Sequence, residues 1–371
     1  MLALTKQIDL KHAGLPKWLQ LRADLILGLL LCAVLSAGAM LLDRVTWFQA
    51  HGLSALTLAI VLGFIVGNSV FPTVARSCSP GVNYAKQYLL RLGIILYGFR
   101  LTFQDISYVG LTGVLIDALV LSSTFSLAVL LGIRLFKLER GTAMLIGIGS
   151  SICGAAAIMA AEPVLKARAE QVTVAVATVV VFGTIAIFVY PLLYRLNVHW
   201  QLLDVTDFAY GLFVGSTVHE VAQVVAAGAA ISPTAADTAV IAKMVRVMML
   251  APFLIALAVY LARVSGAKTA KQEQVQAKGI LTGVSVPWFA FIFVAVAGFN
   301  SLQWLPQTAI VHIAQVDTAL LAMAMAGLGL TTDVKAIRRA GFKPLVLASI
   351  LFVWLIIAGG TLNYAVTALF A

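Results

Sequence analysis

Gly215-Ser216-Thr217-Val218-His219-Glu220-Val221-Ala222-Gln223-Val224-Val225-Ala226-Ala227 sets a histidine, a glutamate and a glutamine inside a run that is otherwise hydrocarbon-like. Ionisable groups at membrane depth are costly, and they face a protein interior or a wet cavity when they occur. The stretch therefore fixes both the medium and the place of interest. An earlier segment, Gly149-Ser150-Ser151-Ile152-Cys153-Gly154-Ala155-Ala156-Ala157-Ile158-Met159-Ala160-Ala161, shares the pattern Gly-Ser-(Ser/Thr)-(Ile/Val), an Ala seven positions after the Gly and a closing Ala-Ala. Two related, glycine-opened, polar-headed segments point to a site built by duplication from discontinuous or re-entrant helices.

The rest of the chain agrees with that medium. Of its 371 residues 61% are hydrophobic and only 11% charged, with a mean hydropathy of +1.01, whereas about a quarter of residues are charged in soluble domains. The reading is an all-α polytopic protein whose main partner is the lipid bilayer. A net charge of +10 would suggest nucleic acid in a soluble protein. Here the basic residues gather in short links between apolar runs, so the charge reports topology and no nucleic-acid partner is expected. Cys32, Cys78 and Cys153 have no CxxC spacing, which supports neither a disulfide framework nor a metal site, and no cofactor is expected.

Apolar runs lie near residues 23–42, 53–71, 86–101, 108–135, 141–161, 171–194, 207–230, 236–262, 280–300, 308–330 and 343–370, which predicts about eleven helical segments. The first run is long enough to span roughly 30 Å at about 1.5 Å per residue, so it reads as a retained helix rather than a cleaved signal. Residues 1–22 form a cytoplasmic amino-terminal segment, and 23–371 a single transmembrane domain. Lys6 to Arg22, Arg76/Lys86/Arg91, Arg134/Lys137/Arg140, Lys268/Lys271/Lys278 and Lys335/Arg338/Arg339/Lys343 put the amino terminus inside and the carboxyl terminus outside. Lys166 and Arg168 conflict with one crossing per run. The conflict disappears if 141–161 dips in from the cytoplasm and 207–230 from outside, with the termini unchanged. A further echo, Gly98-Phe99-Arg100-Leu101-Thr102 against Gly327-Leu328-Gly329-Leu330-Thr331, each followed by Asp105 or Asp333, lies in the third and tenth runs. Opposite directions there predict inverted repeats.

Irregular backbone at membrane depth survives only where it is buried or lines a cavity. Gly147, Gly149, Gly154 and Gly215, with Ser150, Ser151, Ser216 and Thr217, would permit broken helices whose N–H groups, hydroxyls and dipole hold an anion. Taken singly, small residues also serve close helix packing. His219 and Gln223, four apart, share a helix face, whereas Glu220 points about 100° away from His219. Glu220 is expected to pair with Lys243 or Arg246, since an unpaired charge costs roughly 2.5–3.5 kcal/mol at mid-membrane. A purely structural bridge is the plain alternative. The same two cations suit a divalent oxyanion, and His219 could couple proton movement to it. Arg100, Asp105, Asn300 and Asp317 could reach a cavity or mark an interface, and Trp47, Trp200 and Trp304 fit an aromatic belt.

An enzyme is not expected, and no catalytic residue is assigned. His219-Glu220-Val221-Ala222-Gln223 has Gln where a zinc HExxH motif needs its second His, and Gly147-Ile148-Gly149-Ser150-Ser151 has Gly where GxSxG needs its nucleophile. Gly-Ile-Ile-Leu-Tyr-Gly-Phe-Arg-Leu-Thr (93–102), Gly-Ser-Ser-Ile-Cys-Gly-Ala-Ala-Ala-Ile (149–158), Gly-Ser-Thr-Val-His-Glu-Val-Ala-Gln-Val (215–224) and Lys-Met-Val-Arg-Val-Met-Met-Leu-Ala-Pro (243–252) together resemble the YeiH family of bacterial inner-membrane proteins, described as sulfate exporters. The Gly-rich third run and the Gly-Ser segment also look like those of bile-acid:sodium symporter relatives, which implies inverted repeats with crossing discontinuous helices. The resemblance implies a secondary transporter that exports sulfate or sulfite across the inner membrane. Gly149, Ser150, Ser151, Gly154, Gly215, Ser216, Thr217, His219, Gln223, Lys243 and Arg246 would bind the substrate, with Glu220 and His219 coupling. The alternative is an organic-anion or cation/proton carrier in which Glu220 and His219 are the ion ligands; a homo-oligomer is left open.

Overall fold

The computed structural model describes residues 17–50, 53–264, 287–332 and 340–370. Among these there is no strand. The helices are α1 (Lys17–Asp43), α2 (Thr46–Ala50), α3 (Ala55–Ser69), α4 (Phe71–Tyr84), α5 (Leu90–Tyr97), α6 (Phe103–Leu130), α7 (Arg140–Ser151), α8 (Ala155–Leu165), α9 (Ala169–Trp200), α10 (Asp207–Thr217), α11 (Val221–Ala229), α12 (Pro233–Met248), α13 (Leu250–Val264), α14 (Trp288–Ser301), α15 (Gln307–Leu330) and α16 (Phe342–Phe370). Single π-helical turns, Ala85–Leu89 and Leu131–Leu135, follow α4 and α6. Six stretches among the described residues are long and apolar enough to cross a membrane: Gln20–Asp43, Phe103–Leu135, Ala169–Trp200, Pro233–Leu261, Gln307–Leu330 and Phe342–Leu369. The chain is thus an all-α polytopic membrane protein. The basic link Lys268/Lys271/Lys278, the residues Lys6, Lys11, Lys335, Arg338 and Arg339, and Asp333 of the second echo lie outside the described residues.

The chain divides into two compact units, 1–102 with 292–334, and 103–291 with 335–371. In the first, α1 crosses α4 where Gly28 meets Gly81, and any Cβ at either position would overlap the other helix's backbone. This helix was not foreseen: its Arg76, Ser77, Ser79, Pro80 and Asn83 make it read as a polar link. Its apolar face is nevertheless buried, with Phe71, Cys78 and Val82 clustering against Cys32. Through the π turn and α5 the chain then runs antiparallel to α15, since Lys86 meets Thr331, Gly93 meets Leu321, and Arg100 meets Ala314 and Asp317. Asp317 is fully buried and takes both an Nε–H and an NH2 donor of Arg100. Asn300 donates to the carbonyl of Leu101 at 3.0 Å.

In the second unit the fifth and seventh apolar runs are each broken, and both turn back. α10 runs alongside α12 in the same direction: Gly211 abuts Ala235 and Thr238, and Gly215 abuts Ala239 and Ala242. α11 returns, because Gly228 abuts Ala235 and Ala236, level with Gly211. Likewise α7 follows α9 from Gly141 beside Gln171 to Gly149 beside Val179. Glu139, at the start of α7, meets Arg168 and Gln171, and α8 ends just before α9 begins. Both hairpins are therefore re-entrant. They enter from opposite ends of α9, since α10 starts at Asp207, which bonds Tyr194. One crossing per run is overturned, and the re-entrant topology takes its place. Threonine and serine caps start the elements that follow loops: Thr206 accepts from Ala209 N at 3.2 Å, and Ser232 from Ala235 N at 3.1 Å.

Candidate functional site

The tips of the hairpins, 152–154 and 218–220, meet in the middle of the second unit. Gly154 makes the first reversal at φ +69°, a conformation that L side chains rarely adopt. A Cβ there would also overlap Glu220 Cγ. The breaks fall after the Gly-Ser headings, which therefore close α7 and α10 at their negative, carbonyl-bearing ends. The expectation that these hydroxyls stand at positive helix ends is corrected by that one shift. Ser151, Ser216 and Thr217 hydroxyls turn back to carbonyls of their own helices, Ile148 and Phe213. Gly149 and Gly215 serve close packing against α8, α9 and α12 rather than an open site.

The last carbonyls of a helix have no partner within it. Here Lys243 and Arg246, both fully buried on α12, provide donors for two helices at once. Lys243 Nζ donates to Ile152 O at 2.7 Å and Val218 O at 2.6 Å. Arg246 donates from Nε to Ser151 O at 2.7 Å, from NH2 to Ser150 O at 3.2 Å, and from NH1 to Ser216 O. A positive charge at a helix carboxyl end is also favoured by the dipole. No salt bridge joins Glu220 to either cation among the described residues, although Glu220 lies within electrostatic range of Lys243. The salt bridges found among the described residues are Arg100–Asp317 and Arg168–Glu139, and the two cations bond main chain instead.

Glu220 sits at the opposite pole. Its Oε1 accepts from Ala155 N, the first N–H of α8, at 3.2 Å. Glu220 is also the N-cap residue of α11, and the Gln223 side chain accepts from its N–H at 3.0 Å. One carboxylate thus lies on the positive ends of both returning helices. His219 is in the break and Gln223 in the helix, so the shared face predicted from their spacing does not exist. His219 stacks on Phe352 at 6.4 Å, and Gln223 fills the space left by Gly183 of α9.

Several buried polar atoms at this level have no hydrogen-bond partner among the described residues: both oxygens of Asp117, Nδ1 of His219, Nε2 of Gln223 and Oδ1 of Asn363. Asn363 of α16 donates to Ser216 Oγ at 2.9 Å. Asp117, on α6, is fully buried and within electrostatic range of Arg246 and Lys243. Sequence reasoning missed Asp117, Gly183 and Asn363. The signal for Asp117 was present, since it is an acidic residue inside the apolar run 108–135, the same criterion that selected Glu220. Gly183 and Asn363 carry no local signal. No group of three or more metal-ligating side chains occurs among the described residues.

A family model described as Conserved hypothetical protein 698 matches residues 27–348. A UPF0324 membrane protein of Pseudomonas aeruginosa is 61% identical over 339 residues, covering 91% of this chain and 94% of that protein. The chain belongs to the UPF0324 family. A UPF0324 membrane protein of Yersinia pestis is 57% identical over 95% of this chain and 96% of its own length. The UPF0324 inner membrane protein YeiH of Escherichia coli K12 is 54% identical over 93% of this chain and 95% of its own. The YeiH family resemblance is thereby established for nearly the whole chain. No solved structure matches it.

Proposed function

We propose that this UPF0324 member is a secondary transporter of a small oxyanion, in which the anion and the Glu220 carboxylate compete for the same two helix amino termini. The double seat of Glu220, on Ala155 N and on the α11 cap, carries the reading. Helix amino termini favour negative charge and are ready-made oxyanion sites, and a carboxylate can vacate one by taking a proton. Gln223 Nε2 and His219 Nδ1, buried and without partners, would supply donors to the incoming anion. Lys243 and Arg246 would act at a distance, supplying positive potential while tying the tips together. The two hairpins are read as duplicated, inverted elements, and the site as a carrier site rather than an enzyme's. The location that fits is the bacterial inner membrane, the location in the printed name of the Escherichia coli relative, with the amino terminus cytoplasmic by the distribution of Lys and Arg.

Sulfate and sulfite are the first substrates to try, because the resemblance names that class. The test is uptake of each labelled anion into proteoliposomes with and without a proton gradient, for the wild type and Glu220→Gln. Saturable flux that responds to the gradient, and a variant whose response is weakened, are expected. Absence of flux above empty liposomes, with protein shown to be folded, rejects the oxyanion reading. The second reading, a cation/proton-coupled carrier of the bile-acid symporter type, is favoured by one observation: Asp117 presents two buried, unbonded carboxylate oxygens, as a cation ligand would.

A further inference from the structure

The crossing of the hairpins holds two cationic side chains, Lys243 and Arg246, and two acidic ones, Asp117 and Glu220. Glu220 has its seat on the helix ends, whereas Asp117 has none. It is wholly buried, and neither oxygen accepts a hydrogen bond from any described residue. An ionised carboxylate so placed is strongly disfavoured unless cations stand near, and those in range are Arg246 and Lys243 of α12. The other helices packed on α6 are α7, α10 and α16. Arg140 and Asp207 are the first residues of α7 and α10, Lys343 the second of α16, all remote from the crossing. Tyr210 of α10 gives its hydroxyl to Tyr190 O, and Tyr364 of α16 is exposed. Among the described residues, those two are the cations in electrostatic range of Asp117.

Resting on the oxyanion reading above, we infer that Asp117 is a second proton-carrying site, and that Asp117 and Glu220 together admit two protons with each dianion. With both acids ionised the four charges sum to zero. A sulfate dianion entering that core would leave two uncompensated negative charges in a low-dielectric interior, which is costly. One proton on each carboxylate restores neutrality: each proton adds to a carboxylate oxygen as the dianion enters, and leaves as the dianion departs. Glu220 vacates the seat, and Asp117 adjusts the charge around the cations that hold the tips. Transport by the wild type is then electroneutral, with a flux set by the pH gradient and indifferent to membrane potential.

Two measurements test this on the full chain. Infrared difference titration of purified protein, with no substrate present, should show a carboxylic-acid band that appears on acidification and is absent from Asp117→Asn. Reversal conditions for labelled sulfate in proteoliposomes should give two protons per sulfate for the wild type and one for Asp117→Asn, whose flux then responds to membrane potential. A variant that keeps the wild-type ratio, or a spectrum with no Asp117-dependent band, overturns the inference while leaving an oxyanion transporter standing. A titrating Asp117 band without wild-type flux of sulfate or sulfite supports the proton site and rejects the oxyanion reading instead. Should Asp117→Asn fail to fold, Glu220→Gln decides: one remaining proton per sulfate supports Asp117 as its carrier, and none overturns it.

Discussion

Replacing Arg246 with Met removes the donors that hold the ends of two helices while keeping much of the side chain's bulk. Ser150, Ser151 and Ser216 carbonyls each accept from the guanidinium, and the site is fully buried. An abandoned buried acceptor costs about 1–3 kcal/mol, so the three together cost on the order of 3–9 kcal/mol. Relief of the guanidinium's own desolvation offsets part of this. The net lies near about 3–5 kcal/mol, the range for removing one partner of a buried charged set. At roughly 2–4 °C per kcal/mol for a unit of this size, the apparent Tm in detergent should fall by about 6–20 °C. Arg246→Lys keeps the charge but loses the planar fork, and should fall between the wild type and Met. Arg168→Met is the control: it breaks an exposed bridge in which both side chains are 62% accessible, so only a small fall, well below that of Arg246→Met, is expected. An Arg246→Met melting curve superimposable on the wild type would refute the idea that this side chain ties the tips.

Further predictions concern the tips and the loops. Gly154→Ala forces a Cβ onto Glu220 at φ +69°; a cost of about 1–3 kcal/mol is expected from backbone strain alone, read as lowered Tm together with lost substrate protection against heat. Glu220→Gln mimics the protonated carboxyl, so sulfate affinity measured by equilibrium dialysis should rise and depend less steeply on pH, whereas unchanged affinity at every pH would remove Glu220 from competition. Glu139 is held below the usual carboxylate range by the Arg168 and Gln171 side chains that bond it. Its small contribution is therefore present at neutral pH and is lost as pH falls through its folded value. The difference between wild type and Arg168→Met in thermal scans should shrink on acidification; a difference that grows would be the wrong sign.

Much of this architecture is local in origin. Apolar length alone delimits α1, α6, α9, α15 and α16, because a stretch of that composition has no other stable place than the bilayer. The glycine-opened echoes near 149 and 215 lie just before the helix breaks, with the reversals a few residues beyond at 152–154 and 218–220. Intramembrane charge likewise singles out Glu220, Lys243 and Arg246. What one dimension leaves open is which end of each half-helix faces the charges. The break lies after the serines rather than before them, a difference of a few residues that exchanges N–H groups for carbonyls and reverses the sign of the dipole. That reversal gives the cations to the main chain and the helix amino termini to Glu220. The polar helix α4 was likewise invisible, because its burial depends on a partner glycine, Gly28, far away in sequence. Composition and spacing thus determine that the chain spans a membrane and where it can break. The pairing of charges is decided only when the two hairpin tips are brought together, since electrostatic partners are selected by distance in space.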